Sequence, residues 1–337
     1  MLGGMKTLFG FMCAALLVLG GAPARAESSP AAARAPAPRA QVQQLKVTVL
    51  STMLADTQGL GEWGFAALIE ADGHRVLFDT GFYPGTVLEN ARLLGVDLST
   101  VTDVILSHNH DDHTGGLVTL RRELAKKNPK ALSRAHVGRG IFWSRVSSSG
   151  KGGEGNPMVA FRSQYEALGG QFIEHAEPVE LFPGAWLTGP VPRVHPERNW
   201  SGKGQVKAPG GLVEDTIPED QSLVLDTAQG LVLVAGCGHA GVINTLEFAR
   251  ARVREAPVHA AIGGFHLFNA DDKTLEWTGG KLRELKLGHL SGGHCTGIES
   301  LHRLRELTGL DRGHCVVTAV GSSFELGKGL DPLKIAR

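Results

Sequence analysis

Runs of alternating apolar and polar residues, typical of half-buried β-strands, recur along the chain between stretches with helical spacing. Strands are predicted at 45–49, 65–70, 75–79, 101–107, 136–137, 172–173, 180–187, 222–226, 231–235 and 260–262. Helices are predicted at 88–94, 117–127, 242–254, 275–285 and 302–307, and Asp72-Gly73 is predicted to be a hairpin turn. This mixture predicts an α+β chain in which two sheets pack face to face with helices outside.

The first 26 residues have the pattern of an export signal. Lys6 precedes the apolar run Leu8–Leu19, and the small residues around Arg25 suit cleavage before Glu27. About 12 apolar residues are too few for a bilayer, which needs about 20, so we expect no stable membrane insertion after cleavage. We therefore expect a periplasmic or secreted protein, with an Ala- and Pro-rich linker at 27–43 and one domain at 44–337.

The charge balance excludes one class of partner. The chain has 34 basic and 34 acidic side chains, and removal of Lys6 and Arg25 with the signal leaves a net charge of about −2. Nucleic-acid binding depends largely on basic residues that neutralise phosphates, so we expect no nucleic-acid partner. A small-molecule substrate is expected instead, and the sequence does not indicate an oligomeric state.

The sequence His-Asn-His-Asp-Asp-His at 108–113 is the strongest chemical signal in the chain. It follows a predicted apolar strand and precedes Thr-Gly-Gly. A strand that ends in a tight turn lets His108 and His110 share one direction while Asp112 and His113 take another. We therefore predict two adjacent metal positions.

The order His-x-His-x-Asp-His after a strand resembles the metallo-β-lactamase superfamily, and four further motifs resemble its dihydropterin/ribofuranosyl-aminobenzene phosphate synthase-like branch. These motifs are Leu77-Phe-Asp-Thr-Gly81, Gly236-Cys-Gly-His-Ala-Gly241, Gly263-Gly-Phe-His-Leu267 and His294-Cys-Thr-Gly297. The resemblance runs from about Leu45 to Phe324 and implies an αββα four-layer sandwich. The branch usually has Gly and Tyr at the positions of Asn109 and Asp111, a departure that affects the mouth of the pocket rather than the ligands.

The later motifs supply the remaining candidate ligands. His239 follows an apolar strand and His294 follows a Gly-Gly turn, so both are expected to bind metal. His266 is either a ligand or a residue that contacts the substrate or the ligands. Cys237 stands where most superfamily members have a metal-bridging aspartate, and direct coordination by its softer thiolate would favour zinc. The resemblance gives Asp79 the role of holding the histidine turn by hydrogen bonds.

Two further groups have structural interpretations. His195 is expected at the surface or the rim of the pocket. Cys237, Cys295 and Cys315 remain after signal removal, and an odd number is poor material for a disulfide framework. The two within the motifs are expected at or beside the metal site, with a Cys237–Cys295 disulfide as the alternative.

The predicted chemistry is metal-assisted hydrolysis at two divalent ions, with zinc as the expected metal and iron or manganese as alternatives. Such ions lower the pKa of water and polarise a carbonyl or phosphoryl oxygen. Asp112 would bind metal, orient the nucleophile and relay its proton. A transferase of the pterin type and a noncatalytic metal-containing binding protein remain as alternatives. The sequence identifies neither the substrate nor any residue that binds it.

Overall fold

The computed structural model describes residues 39–146, 153–199 and 204–336. The predicted signal peptide at 1–26 and most of the predicted linker lie outside these residues. Val42, in the last part of the predicted linker, is buried and pairs with Thr227 in a parallel bridge. Among the described residues, contacts with the folded domain therefore include residues before 44.

The described residues contain nineteen strands and seven α-helices, numbered here in chain order. The strands are β1 Leu45–Ser51, β2 Leu54–Ala55, β3 Ala66–Ala71, β4 His74–Phe78, β5 Asp103–Leu106, β6 Arg134–Gly138, β7 Gln171–His175, β8 Val179–Phe182, β9 Ala185–Leu187, β10 Gln205–Ala208, β11 Gly211–Glu214, β12 Leu223–Thr227, β13 Gly230–Ala235, β14 Val258–Gly263, β15 His289–Gly292, β16 Cys315–Val317, β17 Ala319–Val320, β18 Ser323–Glu325 and β19 Gly329–Asp331. The helices are α1 Thr86–Leu93, α2 Asp111–Thr114, α3 Leu117–Ala125, α4 Pro157–Ala167, α5 Val242–Arg252, α6 Asp272–Glu284 and α7 Ile298–Thr308, with a 3₁₀ turn at His294–Thr296.

Two large mixed sheets form the centre of the molecule. The first sheet has the strand order β19-β18-β1-β3-β4-β5-β6-β7, and the second has the order β16-β15-β14-β13-β12-β9-β8. Strands β4 to β7 are mutually parallel, as are β13 to β16. Parallel strands end at the same edge of a sheet, so the turns that follow β5, β13, β14 and β15 can bring residues from distant parts of the chain together.

Three apolar cores separate four layers. One lies between the sheets and includes Val47 and Phe78 from the first sheet and Leu225 and Ile262 from the second. Another lies between the first sheet and α1, α3 and α4, and a third between the second sheet and α5, α6 and α7. The arrangement of helices outside two stacked sheets confirms the predicted αββα sandwich.

The structure also contains elements that the apolar pattern did not reveal. Helix α4 was not predicted, although Asn156 caps it by accepting a hydrogen bond from the Met158 N–H and a proline occupies its first position. The hairpin β10–β11 was also missed, because its second strand is exposed throughout and so lacks an apolar face. The predicted strand at 180–187 is two strands, β8 and β9, joined at Gly184, where φ is +81°.

Among the described residues, no helix combines the length and the apolar character that would be needed to cross a membrane.

Candidate metal centre

Asp79 lies at the base of the site and fixes the turn that follows β5. Its Oδ1 accepts the Ser107 main-chain N–H at 2.7 Å, and its Oδ2 accepts the Ser107 hydroxyl and His113 Nδ1, each at 2.7 Å. Because the Ser107 hydroxyl donates to Asp79, its oxygen is free to accept a hydrogen bond from the Nδ1–H of His108, and the two atoms lie 2.9 Å apart. One buried carboxylate therefore orients two imidazoles of the motif, the role that the sequence resemblance implied for Asp79.

The first triad consists of His108, His110 and His239, whose candidate ligand atoms lie within 4.8 Å of one another. His239 comes from the turn after β13, and its Nδ1 donates to the main-chain carbonyl of Asn199 at 2.5 Å. Its Nε2 lies 3.2 Å from Nε2 of His108. His108 and His239 are fully buried, whereas His110 is partly exposed.

The second triad consists of Asp112, His113 and His294. His113 Nε2 lies 3.2 Å from His294 Nε2, which in turn lies 3.2 Å from Asp112 Oδ2. The Thr52 hydroxyl accepts the His294 main-chain N–H at 3.1 Å, and His294 adopts a left-handed φ of 48°. A non-glycine residue in this region is strained, and such strain concentrates at functional sites.

The protonation pattern shows that these donors fit metal cations. His108 and His239 each donate the Nδ1 proton to an oxygen acceptor, so in the neutral form each ring presents an unprotonated Nε2. The Nε2 atoms of His108 and His239 face each other at 3.2 Å, a separation at which two lone pairs repel. A shared cation would convert this repulsion into coordination, and histidine nitrogens with a carboxylate are common zinc donors.

The electrostatic environment agrees with this interpretation. Burial lowers the pKa of His110 to about 4, and burial and the neighbouring imidazoles lower the pKa of His108 and His239 well below the usual value. These rings are therefore neutral, the form that binds metals. Burial opposes ionisation of Asp112, but His113 and His294 hold its pKa well below the usual range. Burial also opposes a charged His113, yet the carboxylates of Asp112 and Asp79 raise its pKa to about 9. The surroundings of His113 therefore favour positive charge, which a cation bound at Nε2 would supply in place of the proton.

Cys237 lies between the triads. Its Sγ is 3.1 Å from His113 Nε2 and belongs to a further donor group with His108 and His113. The Sγ of Cys295 lies 3.2 Å from that of Cys237, and both cysteines are free thiols. His266 contacts the His239 ring at a centroid distance of 4.6 Å and belongs to the donor group formed with these two cysteines.

The structure therefore brings every candidate ligand named from the sequence into one cluster. His195 lies outside it, where its Nε2 pairs with Glu247 at 2.8 Å. Sequence reasoning missed Ser107 and Asn199, and it expected Cys295 at or beside the site without naming it as a candidate ligand. Ser107 is adjacent to the motif and could have been suspected, but Asn199 acts through a main-chain carbonyl, which leaves no signature in the residue type.

Two exposed aromatic side chains, Trp63 and Phe268, lie against histidines of this cluster. The Trp63 ring lies 5.0 Å from the His294 ring and 5.9 Å from the Phe268 ring, measured between centroids. A cleft of about 810 Å³ opens beside His266 and Phe268.

Comparisons with known proteins agree with the fold and the motif. A model of the metallo-beta-lactamase superfamily matches residues 64–242. A curated relative from Methanocaldococcus jannaschii, 7,8-dihydropterin-6-methyl-4-(beta-D-ribofuranosyl)-aminobenzene-5'-phosphate synthase, is 30% identical over 251 residues, which cover 72% of this chain and 84% of the relative.

Solved structures show the same architecture. Tm1679, described as a metal-dependent hydrolase of the beta-lactamase superfamily, is 25% identical with a TM-score of 0.64, and the match covers 83% of this chain and 98% of that protein. YhfI from Bacillus subtilis, a metallo-beta-lactamase fold protein, is 16% identical with a TM-score of 0.53, over 84% of this chain and all of the other, and supports the fold alone. The two donor triads, the family match and the curated relative lead to one conclusion: the chain belongs to the metallo-beta-lactamase superfamily.

Proposed function

We propose that the protein is a hydrolase that uses two divalent metal ions to cleave a small ester, phosphoester or lactone. Zinc is the metal that we propose. The observation that carries the proposal is the presence of two separate donor triads, His108–His110–His239 and Asp112–His113–His294, in one cluster. When bound, two such ions supply Lewis acidity and lower the pKa of water in the cleft.

The role proposed for Asp112 follows from its position. Its side chain is 16% exposed, so its carboxylate reaches the open side of the cluster while one oxygen remains 3.2 Å from His294 Nε2. The depressed pKa keeps this group anionic, as a carboxylate that orients a water molecule and accepts its proton must be. The same group can return that proton to the leaving group.

The surroundings of the centre support a small organic substrate. Trp63 is 47% exposed and Phe268 is 42% exposed, and both lie against histidines of the cluster. Apolar surface of this kind near a reactive centre is typical of pockets that bind the carbon framework of a ligand.

Group transfer is the alternative that a specific observation favours, because the curated relative with 30% identity is a synthase. In such a reaction the same centre would hold a diphosphate leaving group and the nucleophile would be carbon rather than water. A protein exported as the sequence predicts would not meet a cytoplasmic pterin diphosphate, so we favour hydrolysis.

The test is a substrate panel given to the metal-loaded protein. Phosphoesters, lactones and β-lactams are incubated with wild-type protein, with Asp112→Asn and with His195→Ala, each with and without chelator. We expect turnover that chelator and Asp112→Asn abolish and that His195→Ala preserves. Incorporation of ¹⁸O from labelled water into the product identifies hydrolysis. Turnover only when an aromatic acceptor is added would replace hydrolysis with transfer, and saturable ligand binding without turnover would indicate a noncatalytic binding protein.

We further propose that the chain is exported and cleaved before Glu27. Expression of the full chain in a Gram-negative host, followed by fractionation and N-terminal sequencing, tests this. Recovery of uncleaved protein from the cytoplasmic fraction would refute it.

A further inference from the structure

Beside the two triads lies a third group of soft donors, Cys237, His266 and Cys295. The two Sγ atoms lie 3.2 Å apart, and the candidate ligand atoms of all three residues lie within 4.8 Å of one another. Cys237 is 2% exposed and Cys295 is 1% exposed. The proposed hydrolysis requires neither Cys295 nor His266.

The second sheet brings these residues together. Strands β13, β14 and β15 are neighbouring and parallel, and their last residues are in register, with Ala235 opposite Gly263 and Gly263 opposite Gly292. Cys237, His266 and Cys295 each follow the end of one of these strands within two or three residues. Three consecutive turns at one edge of the sheet therefore each contribute one donor.

The backbone around the group is adapted to keep the donors close. A Cβ added to Gly264 would lie 2.9 Å from Cys295 Sγ and 2.1 Å from the Gly236 carbonyl oxygen, so only glycine fits between these turns. His266 adopts a left-handed φ of 45°, a strained conformation for a residue with a side chain. Its main-chain N–H donates to Cys295 Sγ at 3.2 Å.

The His266 ring supplies an independent observation. Its Nδ1 is shielded from solvent and has no hydrogen-bond partner among the described residues. A buried ring nitrogen without a partner costs free energy, of the order of 1–3 kcal/mol, unless something else binds it. A cation bound by this nitrogen and the two thiols would remove that cost.

We propose that Cys237, His266 and Cys295 hold a third metal ion, separate from the two hydrolytic positions. Two thiolates and one imidazole form a donor set that selects zinc or another soft or borderline cation, with a fourth position left for water. The ion ties the ends of β13, β14 and β15 together and so fixes the turns that carry His239 and His294. Cys237 is the shared residue, since its thiolate also faces His113 at 3.1 Å and a thiolate can bridge two ions.

Metal counting tests this proposal independently of any catalytic activity. The full chain is stripped with chelator under reducing conditions, reloaded with Zn²⁺, freed of excess metal and analysed for zinc per chain. We expect three ions in wild-type protein and two in Cys295→Ser and in His266→Ala. The matched control is Cys315→Ser, since the Cys315 thiol is also buried but contacts the Leu301 carbonyl instead. It should retain three ions.

Reloading with Co²⁺ adds a spectroscopic measurement. Thiolate-to-cobalt charge transfer in the near ultraviolet should weaken in Cys295→Ser and stay unchanged in Cys315→Ser. Far-UV circular dichroism identifies any variant that fails to fold, and the partly exposed position of His266 makes His266→Ala the variant expected to fold best.

Three outcomes would overturn the proposal. The first is two ions in wild-type protein and two in both variants. The second is three ions that persist in His266→Ala and Cys295→Ser. The third is a Cys237–Cys295 disulfide in the zinc-loaded protein, seen as an intact mass lower by two hydrogens and a cross-linked peptide. Absence of turnover with three ions bound would instead reject the proposed hydrolase function and leave the third site standing.

Discussion

The Nε2 atoms of His108 and His239 lie 3.2 Å apart although the residues are separated by 131 positions in the chain. Neither atom carries a proton, because the proton of each ring is fixed on Nδ1 by the Ser107 hydroxyl and the Asn199 carbonyl. The protein thus holds two acceptors face to face in a buried position. This repulsion lowers the stability of the folded protein when no metal is bound. Metal binding is therefore expected to raise the free energy of unfolding.

Asp79→Asn should weaken metal binding by about 10- to 100-fold while the fold is retained. An amide has one oxygen, and Asp79 accepts three hydrogen bonds, two of them from Ser107. In the variant, the amide NH₂ group would point at a donor of either Ser107 or His113, so two donors would face each other there. Zinc affinity, measured by competition with a chromogenic chelator, checks this prediction.

The matched control for that measurement is Asp103→Asn. Like Asp79, Asp103 is a carboxylate at an end of a strand of the first sheet that accepts a hydrogen bond from a histidine. The histidine is His136, at 2.9 Å. Asp103 lies at the start of β5, at the opposite end of the strand from the metal motif. Unchanged zinc affinity in Asp103→Asn together with reduced affinity in Asp79→Asn is the expected pair of results, and equal losses would contradict a specific role for Asp79.

His110→Ala should reduce activity by more than the roughly 10- to 100-fold expected for loss of a residue that only orients a ligand. It removes a donor from the first triad, whereas His195→Ala removes a ring whose Nε2 pairs with Glu247 outside the cluster. Metal content and turnover should fall together in the first variant and remain near wild type in the second. A comparable loss of turnover and metal content in both variants would show that the assignment of the metal ligands is wrong.

Local sequence was sufficient to locate the centre, because the donors at 108–113 are neighbours in the chain and the strand before them is apolar. It also indicated His239 and His294, each beside glycines at a strand end. It raised a meeting of Cys295 with Cys237 only as an alternative disulfide, since their contact as free thiols depends on the register of β13, β14 and β15. Contacts made by main-chain atoms, such as that of Asn199, are equally invisible in a sequence.

Acid should remove a stabilising contribution of Asp103. Burial opposes its ionisation, but hydrogen bonds from His136, Arg134 and Thr102 outweigh burial and hold its pKa well below the ordinary 3.8. A folded-state pKa below the unfolded value stabilises the fold above the unfolded pKa, and this stability is lost as pH falls toward the folded-state pKa. The difference in unfolding free energy between wild type and Asp103→Asn should therefore be largest near neutral pH and shrink below about pH 4.

Urea unfolding of both proteins at several pH values from about 7 to about 3 measures this difference. Subtracting one unfolding free energy from the other cancels the contributions of titrating groups that behave alike in both proteins. A difference that stays constant over this range would show that the interactions of Asp103 do not depend on its charge.

Neighbouring glycines in α6 should respond in opposite directions to substitution by alanine. A Cβ at Gly280 would meet no atom within 4 Å, so Gly280→Ala should stabilise the protein by about 0.5–1 kcal/mol through the lower entropy of its unfolded chain. A Cβ at Gly279 would lie 2.6 Å from Leu307 Cβ on the adjoining helix α7. Crowding at this contact should cost about 1–3 kcal/mol and outweigh the same entropic gain. Thermal and urea unfolding of the two variants measure these changes in stability. Stabilisation by Gly279→Ala would mean that α6 and α7 can separate freely. Destabilisation by Gly280→Ala would mean that this face of α6 is covered.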